Sequence, residues 1–360
     1  MSKGFQFGLE AEFMLASSEY KPLWYKDVSF NTLDSIFESI SLEGIPNLAG
    51  LSAEPPHKKL MPFIVEGYGI ADENFTVHDA YPKGIEIRTP VCGSIKETLS
   101  LYEDLYSRVK NALAPHGMIP VAISHHPVES KFSGPQNKRR HDFWLWAMEV
   151  MTTYGPDINV SFPPHITKEL FSDLEDLNAK VNYYAPAMAS ISLSSPFLNG
   201  KPWKIKGEQG KSYRTYKRSV IAPAIELHPD ENFRIEFKVF EMTRKVEDFE
   251  AYFLLVLSLF LDKGLLGRST AQERIYDSGA VARFGIAAEG MKDRFVELYT
   301  RAPEVLLNYG FDPSPLKKLV NRIEKNETPS DEMLSIFEKE NLTSVIKEFS
   351  CLIKRNGERI

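Results

Sequence analysis

The chain has 360 residues, 43% of them hydrophobic and 26% charged, with a formal net charge of −6. That length supports a sizeable core, and the acidic balance excludes a general nucleic-acid binder, which needs a basic face. Two cysteines, Cys92 and Cys351, are too few for a disulfide framework and lack metal-ligand spacing, so both read as small buried residues.

The most apolar run, AYFLLVLSLFL at 251–261, is shorter than the about 20 residues that cross a bilayer. The opening MSKGFQF has no apolar signal-peptide core. No membrane association is expected, and the cytoplasm is the expected compartment.

The first predicted element is a strand over GFQFGLEAEFML, residues 4–15. Alternation puts Phe5, Phe7, Leu9, Ala11 and Phe13 on one face and Gln6, Gly8, Glu10 and Glu12 on the other. Leu33, Ile36, Phe37 and Ile40 then recur at helical spacing, with Gly44 as a stop. The proline-bearing GLSAEPPHKKLMPF reads as a loop.

In NFTVHDAYPKGIEIRTPVC, Ile85 and Ile87 alternate with Gly84, Glu86 and Arg88, giving a second strand ended by Pro90. Pro82 breaks or bulges it upstream, so parity does not assign the face of Asp79. Ser94 and Glu97 form a capping box for a helix with Ile95, Leu99, Tyr102, Leu105, Val109 and Leu113 on one side. After Gly117, MIPVAIS suggests a strand ending at His125-His126-Pro127. Residues 128–140 read as a polar loop carrying the basic cluster Lys138-Arg139-Arg140.

FWLWAMEVMTTYG reads as an apolar helix ending at Gly155. DINVSF is a third alternating strand, with Asp157, Asn159 and Ser161 opposite Ile158, Val160 and Phe162. Helices are expected over 167–180 and 183–193, a turn at SSPFLNGKPW, and a loop from 204 to 219 that carries Arg214 and Arg218. ENFRIEFKVFEM is a fourth alternating strand, with Phe233, Ile235, Phe237 and Val239 opposite Arg234, Glu236 and Lys238. Beyond Thr243 the pattern is helical, with Gly264 a stop and Ser330 a cap. The expected architecture is α+β: an antiparallel sheet with helices on its apolar face, one catalytic domain over 1–360 with a helical portion over 244–360.

If the four charged strands share one sheet, five carboxylates (Glu10, Glu12, Glu86, Asp157 and Glu236) converge on its open side, and Asp79 would be a sixth. Such a face is either solvated or relieved by Arg, Lys or a divalent cation. Oxygen donors without cysteine suit Mg²⁺ or Mn²⁺. Because Mg²⁺ completes its shell with water and substrate phosphates, ATP fits this face. Arg214, Arg218 and Lys238 would neutralise a transferred phosphoryl group, and Arg88, Arg234 and Asn159 stand among the same carboxylates. His125 and His126 are either ligands, with His126 facing substrate, or ordinary turn histidines. GEQGKS at 207–212 has a Walker-like ending but too short a loop and no strand before it, and neither GxGxxG nor HExxH is present.

GLEAEF, GIEIRTPVC, SSPFLNGK with SYR, and RIEFKVF together resemble the landmarks of the glutamate–cysteine ligase family. These are carboxylate–amine ligases on the glutamine-synthetase-like fold. The landmarks run in family order from residue 8 to about 243. The resemblance implies a curved antiparallel sheet forming a funnel, in which metal-bridged ATP phosphorylates a substrate carboxylate and an amine attacks the acyl phosphate. It implies that Glu10, Glu12, Glu86, Asp79 and Glu236 are metal ligands and that Arg214 meets the phosphates. Asp157 stands where the family usually has a histidine, and Lys238 where it usually has an arginine. The expected substrates are a small amino acid and an amine, with the assembly open between monomer and homodimer. A guanidino kinase on the same fold, or a relative that binds metal and nucleotide without turnover, are the alternative readings.

Overall fold

The computed structural model describes residues 4–132, 148 and 150–360. The basic cluster at 138–140 and the first part of the helix expected before Gly155 lie outside those residues; of its described part, Val150–Thr152 forms a single 3-10 turn. Eleven strands are present among the described residues: β1 Gln6–Ser17, β2 Phe63–Ala71, β3 Val77–Arg88, β4 Met118–Val121, β5 Pro156–Ser161, β6 Phe197–Leu198, β7 Lys201–Pro202, β8 Lys204–Ile205, β9 Glu208–Gln209, β10 Ile225–His228 and β11 Arg234–Phe237. Seven of them form one sheet in the order β10-β11-β5-β1-β3-β2, with β4 pairing the far end of β1. Every pairing in it is antiparallel.

The alternation read from the sequence sets the two faces. Phe7, Leu9, Ala11 and Phe13 are buried on one side, while Glu10 and Glu12 are half-buried on the other. Helices Ile95–Leu113 and Val246–Leu261 cover the apolar side: Phe13 packs on Tyr106 with ring centroids 5.4 Å apart, and Phe7 on Phe253 at 5.8 Å. Burying one such ring contributes about 1.5–3 kcal/mol. Helix Val246–Leu261 is apolar all round because the sheet lies on one side of it and helix Met291–Asn308 on another. Glu66 on β2 and Glu226 on β10, from opposite edges of the sheet, line the same hollow. The sheet therefore curves round its polar face, with helices outside and a helical C-terminal part, as the α+β expectation had it. Among the described residues no helix is long and apolar enough to cross a membrane.

Several expectations are corrected. Strand β2 emerges directly after the loop and supplies an unforeseen edge. The two helices expected over 167–193 are Pro164–Leu170 and Leu174–Ala189, with Asp173 capping the second. The turn expected at SSPFLNGKPW is present, as a tight hairpin of β6 and β7 whose residues Asn199 and Gly200 both take positive φ, +51° and +76°. Most consequentially, the expected loop over 204–219 contains helix Tyr213–Ile221. Ser212 caps it by accepting from the Thr215 N–H. Phe233 is exposed, with φ +52°, and Thr328 rather than Ser330 caps the helix at 329–339.

Candidate active site

The register of the central strands builds the site. Glu12 lies opposite Glu86, and Glu10 stands between Arg88 on one neighbouring strand and Asp157 on the other. Asn159 lies opposite Glu236, and Glu236 opposite Glu226. Four of the strands read from the sequence thus share one sheet and bring Glu10, Glu12, Glu86, Asp157 and Glu236 to one hollow of about 980 Å³. Asn159, Arg88, Arg218, Arg234 and Lys238 line it too.

Among the described residues, three groups offer ligand atoms within 4.8 Å of one another: Glu10 with Asp157 and Glu236, Glu12 with Glu66 and Glu86, and Glu226 with His228 and Glu236. Burial, then Glu236 and Asp157, pushes Glu10 up to about 8. Burial, then Glu10, Glu66 and Glu12, pushes Glu86 well above the carboxylate range. Among the described residues Glu86 has no cationic side chain within ion-pair distance. Carboxylates this reluctant to ionise together, all hard oxygen donors, form a set that a divalent cation fits.

Cations of the chain hold other parts of the cluster. Arg234 donates to Glu236 at 2.7 Å and to Asn159 at 2.5 Å, and lies 3.7 Å from Glu10. Lys238 donates to Asp157 at 3.0 Å and also to Glu236, and is 3.4 Å from Glu226. Burial raises Glu236, but Lys238 and Arg234 more than offset it and leave the group low. Asn159 donates to Glu10 at 3.1 Å. Both oxygens of Glu12 are engaged, one by Lys83 at 2.8 Å and one by the Gly155 N–H at 2.8 Å.

Two arginines arrive on the helix at 213–221. Arg214 is buried beside Gly155, where a Cβ would stand 2.1 Å from its Nη2, so only glycine permits that approach. Burial, then Arg218, lowers its guanidinium to about 10. Glu241 anchors the start of this helix. It is fully buried and accepts from the Ser194 N–H at 2.5 Å, Ser195 at 2.9 Å, Thr215 at 2.6 Å and Ser212.

Two anticipated site residues stand apart. Ala80, not its neighbour Asp79, lines the hollow; Asp79 accepts from the Ala80 N–H at 2.8 Å. Counted by twos from Glu86, Ala80 falls on the side of the hollow and Asp79 on the other; the bulge turns Lys83, not Asp79, into the hollow. His126 is buried against Trp24, with ring centroids 4.8 Å apart, and its Nδ1 accepts from the Glu129 N–H at 2.8 Å. Burial lowers it to about 3, so it is a neutral packing group outside the hollow. Arg88 reaches the hollow but donates to Ser52 O at 2.9 Å and Met61 O at 3.2 Å, pinning the loop before β2.

Glu66, Lys83 and Glu241 were missed. An acidic residue at the apolar parity of Ile235, Phe237 and Val239 was the available sign for Glu241. Glu66 had none, because β2 itself was not read.

Solved structures share this architecture. A glutamate–cysteine ligase from Francisella tularensis, in complex with AMP, superposes with a TM-score of 0.64 at 12% identity, covering 96% of this chain and 88% of that one. A bifunctional glutathione synthetase from Pasteurella multocida gives 0.63 at 10% identity, covering 96% and 52%. The complex between the ubiquitin-like protein Pup and its ligase PafA gives 0.53 at 12% identity, covering 96% and 67%. The fold is therefore that of the glutamine-synthetase-like ligases.

The model of glutamate–cysteine ligase family 2 (GCS2) matches residues 6–216, over half of the chain, and the chain belongs to that family. Two curated relatives carry the name "Putative glutamate–cysteine ligase 2". The Rhodospirillum rubrum protein is 24% identical over 46% of this chain and 40% of its own length; the Jannaschia sp. protein is 27% identical over 32% and 31%. The matched part of the chain thus spans less than half of either relative.

Proposed function

We propose that the protein is an ATP-dependent carboxylate–amine ligase of the glutamate–cysteine ligase type. It would activate a small amino acid's carboxylate, glutamate's γ-carboxylate foremost, as an acyl phosphate and pass the acyl group to the amine of cysteine or a related compound. The observation that carries this reading is the convergence of Glu10, Glu86, Asp157 and Glu236 with Arg218, Arg234 and Lys238 on one hollow, with Arg214 in an adjoining pocket that Arg218 and Lys238 also line. Anionic and cationic groups interleaved in this way suit a reaction that moves a phosphoryl group between two oxygens.

Glu10, Glu86, Asp157 and Glu236 would hold Mg²⁺ or Mn²⁺, which supplies charge neutralisation for the nucleotide's phosphates. The chain's own groups do the rest. Arg218 faces the hollow and takes up charge developing on the transferred group, and Arg214, one turn earlier on the same helix, lines the adjoining pocket behind it. Lys238 stands in place of a guanidinium as a point charge held by Asp157 and Glu236, so it orients without bidentate contact. The curved sheet aligns carboxylate, phosphoryl group and amine. No side chain of the site needs to form a covalent intermediate. The two free cysteines, Cys92 and Cys351, fit a reducing cytoplasm.

ADP release screened over amino acids and amines tests the reading, with hydroxylamine as a trap. A hydroxamate formed in step with ADP marks the acyl phosphate. ADP release with a guanidino acceptor and no hydroxamate marks a kinase, and Mg-ATP binding without ADP release marks an inactive relative.

A further inference from the structure

Resting on the metal-dependent reading above, we propose that the Lys83 ammonium is a resident cation occupying the position a divalent ion would take between Glu12 and Glu66. This end of the hollow then binds no metal, and ions are confined to the carboxylates around Glu10, Glu86, Asp157 and Glu236.

The oxygens of Glu12, Glu66 and Glu86 approach one another closely enough to surround an ion. Lys83 already fills the space. It donates to Glu12 Oε1 at 2.8 Å and to the Thr153 carbonyl at 2.8 Å, and lies 3.3 Å from Glu66 Oε1. Of the three donors of the ammonium, two are committed to Glu12 and Thr153, and its remaining side faces Glu66. The second oxygen of Glu12 takes the Gly155 N–H, so neither oxygen of that carboxylate is without a partner.

The backbone holds the lysine there by construction. Glu66 pairs with Gly84 while Gly67 pairs with Pro82, so Lys83 is the extra, unopposed residue of a bulge. Pro82 has no N–H to lose from the ladder. The fully buried Tyr154 donates its hydroxyl to the Lys83 carbonyl at 2.7 Å, and its ring lies 5.6 Å below the ammonium. The Lys83 side chain is 4% exposed, against 11% for Lys238 and 20% for Arg234. All three line the same hollow, and Lys83 is the most deeply buried of them.

An ammonium carries one charge where a divalent ion carries two, and it cannot be removed by a chelator. The expected result is a hollow with a smaller metal complement than its carboxylates suggest, and a Glu12–Glu66 pair that stays ordered without metal. Mn²⁺ titration of the metal-free full chain, followed by calorimetry and by the paramagnetic resonance of free Mn²⁺, tests this without reference to turnover. Lys83→Met should bind one more Mn²⁺ per chain than the wild type. Glu66→Gln should keep the wild-type number and affinity. Lys83→Met with the wild-type number and an intact circular-dichroism spectrum would overturn the proposal, and so would loss of one Mn²⁺ in Glu66→Gln. Should Lys83→Met fail to fold, the Glu66→Gln count decides alone. Failure of the ligase reading shows separately, as absent ADP release from the wild type whichever way the Mn²⁺ counts fall.

Discussion

Glu241 offers the sharpest test of how the site is held. Replacing it with alanine removes the acceptor shared by the Ser194 N–H and the Ser195, Ser212 and Thr215 hydroxyls. The Ser195 and Ser212 hydroxyls lie 3.0 Å apart and can satisfy each other. The Ser194 N–H and the Thr215 hydroxyl have no such recourse. Each buried donor left without a partner costs about 1–3 kcal/mol, so Glu241→Ala should lose about 2–6 kcal/mol. At about 2 °C per kcal/mol for a large domain, the melting temperature falls by at least about 4 °C. Denaturant unfolding gives the free energy directly. Because Ser212 caps the helix that carries Arg214 and Arg218, ADP release should fall as well, even under conditions where the variant remains folded. A stability loss under about 1 kcal/mol, or full turnover in the folded variant, would show that Glu241 does not anchor that helix.

Glu10→Gln and Glu236→Gln should each abolish ADP formation and keep the circular-dichroism spectrum of the wild type; near-normal turnover in either would count against the metal assignment. The metal-free protein should also show a pH signature. Folding raises Glu10 from 4.5 to about 8 and Glu66 from 4.5 to about 7, burial being the main cause of both. The stability these protonated groups contribute is complete below about 4.5 and lost as pH rises through about 7–8. Melting temperatures across that window should therefore show Glu10→Gln gaining on the wild type as pH increases, and a constant difference would refute the shift. Gly155→Ala should displace the Arg214 guanidinium, since the new methyl would meet it at 2.1 Å; a wild-type rate of ADP release would mean that Arg214 need not sit there.

The strands that carry the site were legible where one face is core and the other is charged. Strands β1, β5 and β11 alternate cleanly because the helices outside demand apolar side chains at every second position. Strand β2 was hidden because FIVEGYGIA mixes a short apolar run with two glycines, and it follows a loop rich in proline. The helix at 213–221 was hidden for the opposite reason. Its buried residues are Tyr213, Arg214, Thr215 and Ser219, a largely polar set, since it packs on helix Ala271–Phe284 and is held at its start by Glu241. A periodicity search finds helices by their apolar stripe and passes over one whose inner face is made of arginine and hydroxyls.

The local order of residues was enough to determine that hard oxygen donors alternate with core side chains, because strand parity is a property of the nearest neighbours along the chain. It also carried the landmarks of the family. Which carboxylate each cation holds was decided by the tertiary structure alone. Lys83 reaches Glu12 across 71 positions and Lys238 reaches Asp157 across 81, and a bulge at Pro82 turned one lysine inward. Charge compensation acts through space and falls off with distance, so only the folded sheet could set which acidic groups are already neutralised and which remain for a metal ion.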